Sequence, residues 1–195
     1  MLNDDFNYLI NQLGTNIYLN DETKPRKVLL SSRRISRTEI NFDDRMVHTN
    51  FKIKRGDTIK YNNVLYLVFS DVQAKRGHEY QALIRPMTNS FEFTYWTEGG
   101  IVDYDRFNNP IYDPPPEEVT ESLPCVAYQE GSPAIEGDKI RLPETRIKVV
   151  MPDNHATEQI EMDTDHTVLN HRYNIVDINL LQSGIRIFTM EWTTK

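Results

Sequence analysis

One cysteine in 195 residues leaves Cys125 without a partner for an intrachain disulfide and without a second thiolate for a metal site. It reads as a buried, inert thiol in a reducing compartment. Long hydrophobic runs are missing too. Mean hydropathy is -0.59, and nothing approaches the ~20 apolar residues that cross a bilayer, so a soluble protein is expected. The opening residues, Met1-Leu2-Asn3-Asp4-Asp5-Phe6, carry acid where a secretory signal carries Lys or Arg, which points to a cytoplasmic site of synthesis. Neither G-x-G-x-x-G nor G-x-x-x-x-G-K-[ST] occurs, and there is no G-x-S-x-G elbow. No enzyme activity and no cofactor are therefore expected. A net charge of -7 opposes general binding to nucleic acid, because neutralising phosphates requires surplus Lys and Arg.

The charge that is present is segregated. Six basic residues and no acid lie between Lys24 and Arg37 (Lys24, Arg26, Lys27, Arg33, Arg34, Arg37), whereas Glu98 to Glu121 holds seven acids against Arg106 alone. Two solvated loops account for this, and the sharper alternative is a polar head-to-tail contact between copies in a ring. Apolar residues make up 38% of the chain and aromatics 10%, so the cores are small and lean on Tyr, Phe and Trp.

Phe6, Leu9, Ile10 and Leu13 recur at helical spacing between a capping Asp4 or Asp5 and Gly14, which predicts one short amphipathic helix. Strand signals follow it. They include Ile17–Leu19, Lys27–Leu30, Phe51–Ile53, a hairpin over Ile59–Phe69 turning at Asn62-Asn63, and a strand from His78 to Arg85. Phe91, Phe93 and Tyr95 alternate on one side of a further strand, either as core or as a docking edge. Gly99-Gly100 and the run from Asn108 through Pro114-Pro115-Pro116 break regular structure. Ile101, Val102, Tyr104, Phe107, Ile111 and Tyr112 make this segment too apolar for a passive linker and favour an arm that clasps a neighbour. The predicted division is 1–97, helix plus first β module; 98–122, acidic Pro-rich arm or linker; and 123–195, second β module.

The two sides of the break look related. At a constant offset of 107 residues, Phe51-Lys52-Ile53-Lys54 faces Glu158-Gln159-Ile160-Glu161, and Tyr66-Leu67-Val68 faces Tyr173-Asn174-Ile175. One deletion then aligns Asp71-Val72 with Asp177-Ile178 and brings Gly77 close to Gly184. Halves of about five short strands escape exposed edges by curling into barrels, so the expected fold is mainly β, two tandem small β-barrel-like modules with a short N-terminal helix.

Asp163-Thr164-Asp165-His166, with His155 and His171 on either side, is the densest polar cluster, but its spacing fits a turn rather than a zinc or calcium site, and no metal is expected. His48 and His78 read as surface residues. Arg55-Gly56-Asp57 reads as the turn that opens the hairpin.

Asp163, then Thr167-Val168-Leu169-Asn170-His171-Arg172-Tyr173-Asn174-Ile175-Val176-Asp177-Ile178 and Ser183-Gly184-Ile185-Arg186-Ile187, resembles the closing hairpin and strand of head-closure (stopper) and related neck proteins of long-tailed bacteriophages. Gly56-Asp57-Thr58-Ile59-Lys60-Tyr61-Asn62-Asn63-Val64-Leu65-Tyr66-Leu67-Val68 reads like the same element again. The resemblance covers about a third of the chain. It implies a virion structural protein, assembled in the host cytoplasm, that forms a hexameric or dodecameric ring in the head-tail connector. Portal or adaptor and tail proteins would be its partners, with passing contact to genomic DNA in the channel and none to membrane. Phe6, Leu9, Leu13, Ile101, Tyr104, Phe107, Ile111 and Tyr112 are the expected inter-subunit contacts, with the Lys24–Arg37 segment as a basic one. Alternatives are a baseplate or distal-tail adaptor, and an OB-like single-strand binder using Tyr61, Tyr66, Phe69 and that basic segment.

Overall fold

The computed structural model describes residues 2–32, 43–96, 100–112, 115, 117–129 and 146–193. Helix α1 (Leu2–Leu13) opens the chain and β1 (Thr15–Leu19), β2 (Arg26–Ser32), β3 (Arg45–Thr49), β4 (Thr58–Tyr61), β5 (Val64–Val68), β6 (Gln73–Lys75) and β7 (Glu79–Pro86) follow. Six of these strands close in the order β1-β2-β3-β7-β5-β4, and β6 pairs with β7 over Glu79–Gln81, ahead of the stretch that β5 pairs. Alternation sends Ile17, Leu19, Val28, Val47, Ile59, Tyr66, Val68 and Ile84 into one core. The expected hairpin is present: Asn62 and Asn63 both take positive φ (48° and 62°), as a two-residue turn matched to strand twist requires.

The second barrel contains β8 (Asn89–Trp96), and between this strand and the next lies a hairpin, β9 (Ile101–Tyr104) with β10 (Pro110–Tyr112). Then come β11 (Glu118–Gln129), β12 (Arg146–Pro152), a single turn α2 (His155–Glu158), β13 (Asp165–Val168), β14 (His171–Asn179) and β15 (Ile185–Trp192). These strands close as β8-β11-β12-β15-β14-β13. The fold is therefore mainly β, two closed six-stranded barrels in tandem behind a short helix.

The division of the chain differs from that read from composition. β8 belongs to the second barrel, pairing with β11 and β13, so the barrels meet at Met87-Thr88 rather than after residue 97. β11 enters the barrel from Glu118, and the Gly- and Pro-rich segment is an insertion between two strands of barrel 2. A tight connection between two closed barrels needs no composition shift, whereas an excursion out of a barrel needs turn residues.

The two barrels share strand order and register. The cross-strand pairs Ile17↔Arg26, Val47↔Ala82, Ile59↔Tyr66 and Val68↔Ile84 of barrel 1 have counterparts in Phe91↔Leu123, Val149↔Phe188, His166↔Tyr173 and Ile175↔Met190 of barrel 2. Leu169-Asn170 repeats the Asn62-Asn63 turn with φ of 53° and 63°. Gly56 N donates to Val68 O, and Asp163 N donates to Ile175 O, each at 2.9 Å. Ile53 and Ile160 are both buried. The sequence repeat thus corresponds to a repeat of structure, with six strands per half instead of five.

A third apolar cluster joins the barrels. Leu67 on the outer face of β5 and Met87 pack with Val126, Val150, Ile185 and Ile187 from the outer faces of β11, β12 and β15. Arg85 forms a two-pronged hydrogen bond to Asp44, at 2.9 and 2.8 Å, and lies 4.3 Å from the Phe69 ring centre. Gly56 and Gly184, each at φ 89°, bring two turns into backbone contact; a Cβ on either would overlap the other turn.

Candidate assembly surfaces

The β9–β10 hairpin stands at the outer end of the β8–β11 ladder, whose last pair is Trp96↔Glu118. Every residue of β9 is exposed. Ile101 (53% exposed), Val102 (61%), Tyr104 (55%), Phe107 (71%) and Ile111 (43%) are all open to solvent. Tyr112 is a strand residue paired with Ile101.

The tip is organised despite this exposure. The Asp105 carboxylate accepts from Phe107 N at 2.7 Å, Asn109 N at 2.9 Å and Asn109 Nδ2 at 3.0 Å. Those donors, Asn109 first, hold its carboxyl below the usual aspartate range. Asn108 takes the left-handed conformation at φ 67°, and the Arg106 guanidinium sits 4.9 Å from the Phe107 ring centre. A bare two-stranded ribbon is marginal in water. This one has its turn fixed by an aspartate and carries exposed apolar side chains along its length.

Helix α1 is half seated. Ile10 is buried and Phe6 meets the His78 ring at 6.4 Å, but Leu9, Leu13 and Tyr8 are exposed, so its apolar stripe is wider than its seat. A third exposed feature was not legible in the sequence: Leu180 (56% exposed) and Leu181 (92%) crown the β14–β15 loop, where Asn179 Oδ1 accepts from Leu181 N. Its signal was two leucines in a stretch where turn chemistry calls for polar residues.

Two residues of the basic segment, Arg26 and Lys27, are committed within the chain. Arg26 holds Glu22 and lies 4.6 Å from the Phe51 ring centre, and Lys27 Nζ donates to Asn11 O. Lys24 is exposed beside them, while Arg33, Arg34 and Arg37 lie outside the described residues. The aromatic platform of the single-strand reading does not form, because Tyr66 is buried in the barrel 1 core, Tyr61 packs against that core and Phe69 packs between the barrels.

The Asp163–His166 cluster is a turn leading into a core. Asp165 pairs with Arg172 and Asn174, and Thr164 Oγ1 donates to Glu161 O. His166 is buried against Phe91 and Phe93, its Nε2 2.8 Å from Thr164 Oγ1, and burial pushes its pKa below the ordinary value. Among the described residues no group of three His, Cys, Asp or Glu is placed to hold a metal. Burial also pushes the Cys125 thiol up to about 12, which removes its thiolate at neutral pH. A cleft of about 340 Å3 between the barrels, floored by Met87, Leu123 and Met151, has Asp21 and Asp153 on its rim. None of the described helices is long and apolar enough to cross a membrane.

The chain was compared with known proteins. The YomX N-terminal domain family matches residues 1–86 and the YomX C-terminal domain family matches residues 89–191, the same division as the two barrels. YomX is a phage-derived protein name, from the Bacillus phage SPBc2 region. No curated protein and no solved structure matches the chain.

Proposed function

The chain belongs to the YomX family of phage-associated proteins, and from that premise we propose that it is a structural subunit of a tailed-phage particle, without catalytic activity, that joins copies of itself into a ring in the head-tail connector. The observation that carries this reading is the β9–β10 hairpin, whose preorganised tip and uncovered apolar sides fit a docking arm. Portal or adaptor on one side and tail proteins on the other are the neighbours that the stopper-like closing hairpin implies. Two barrels sharing an apolar junction give the rigid body that such an arm needs. The net charge of -7 keeps passing DNA from adhering.

The test is a map of the intact particle, with an antibody fragment against this chain as marker. The reading expects a ring of density at the junction of head and tail. Density at the baseplate would transfer the same arm to a distal-tail adaptor, and absence of the chain from the particle would refute a virion role.

A further inference from the structure

The duplication assigns a meaning to the seat of α1. Three contacts between the helix and barrel 1 mark its seat: Lys27 Nζ donates to Asn11 O at 2.8 Å, Asn50 Nδ2 donates to Asn7 Oδ1 at 2.8 Å, and His78 meets Phe6. Carried through the shared register, Lys27, Asn50 and His78 correspond to Pro124, Pro152 and Gly184 of barrel 2. Those three lie where barrel 2 meets barrel 1: Pro124 and Pro152 line the inter-barrel cleft, and Gly184 abuts Gly56. The helix therefore sits on barrel 1 over the face by which barrel 2 receives barrel 1.

We propose that this face of barrel 1 is a docking site for a second copy of the chain, whose barrel 2 stacks there through the outer side of β14, and that α1 covers the site in the separate molecule. The occupant follows from continuity with the interface inside the chain. Leu65, Leu67 and Met87 face barrel 2 from barrel 1, and the same positions on barrel 2 are Arg172, Asn174 and Thr193. On the receiving side Val126, Val150, Ile185 and Ile187 are matched in barrel 1 by Leu29, His48, Glu79 and Gln81. The junction within the chain is apolar, and the junction between chains is polar but for Leu29, as suits a contact that forms only on assembly. This site is separate from the β9–β10 arm.

The experiment is light scattering on the full chain over a concentration series. Asn7→Asp with Asn50→Asp sets two carboxylates where an amide pair now meets and lifts α1 with the core untouched; Ile10→Asp does so by removing the buried anchor. Release is expected to raise the mass at least twofold above that of the unaltered chain, less so as salt rises. Adding Asn174→Glu should return it to the unaltered value, and adding Phe107→Ser should leave the increase in place. A released helix with no gain in mass, a gain indifferent to Asn174→Glu, or a gain lost with Phe107→Ser, which would assign it to the arm, each overturns the proposal.

Discussion

Barrel 1 and barrel 2 carry the same six strands in the same register, yet they fill and face the frame differently. Ala82 in one core stands where Phe188 stands in the other, and Ile59 where His166 stands. On the outside, Leu67 is buried at the inter-barrel junction, while its counterpart Asn174 is only half-buried and bonds Asp165. What persists between the halves is which positions turn inward. The content of those positions drifts with the neighbouring side chains, and the outer positions follow whether another surface covers them.

The comparison can be broken by exchange. Phe188→Ala leaves a cavity that the barrel 2 core cannot close and is expected to cost about 3–5 kcal/mol in denaturant melts, whereas Ala82→Phe overpacks barrel 1 at about 1–3 kcal/mol. Equal, small effects would mean that the two cores are not separately packed. Gly56→Ala or Gly184→Ala forces a side chain into a left-handed residue that abuts a neighbouring turn, at about 2–3 kcal/mol. The same change uncouples the barrels, so one unfolding transition becomes two. Retention of a single transition at the wild-type midpoint would contradict the junction. Leu67→Asn is expected to destabilise by about 2 kcal/mol, while the reverse change on the free face, Asn174→Leu, stays within about 0.5 kcal/mol.

The smallest effect is a pH dependence confined to barrel 2. Because burial lowers the His166 pKa, the unfolded chain binds a proton more readily than the folded one. Stability is whole above the ordinary histidine pKa of about 6.5 and declines as pH falls through it. His166→Ile, which installs the residue of barrel 1, should flatten that slope between about pH 7 and 5. An unchanged slope would place the proton elsewhere.

The sequence disclosed the helix, the first hairpin turn and the repeat because each has a local signature: 3.6-residue spacing, the Asn62-Asn63 pair between β-rich runs, and a constant offset. It misplaced the domain boundary for an equally physical reason. Gly99-Gly100 and the triple proline mark where the chain leaves a sheet, and that place is an excursion inside barrel 2 rather than a gap between barrels. Ile101, Tyr104, Phe107 and Ile111 could be picked out as exposed, because apolar residues in a Pro-rich segment have little to pack on. Leu9 and Leu13 were singled out from the same stripe, and the structure leaves them exposed while it buries Ile10, since burial on a helix stripe is decided by the width of its seat. His166 gave no sign of being in a core, because a histidine in a turn-like run looks the same whether it ends up in solvent or under two phenylalanines.

The central claim, that two barrels complete each other and leave one apolar arm for assembly, is tested most directly by replacing residues 101–112 with a short Gly-Ser turn and scoring incorporation against the unaltered chain in the same infected cell. The account predicts a truncated protein with an unchanged melting profile that is lost from purified particles. Truncated and unaltered chains entering particles in equal proportion would contradict it.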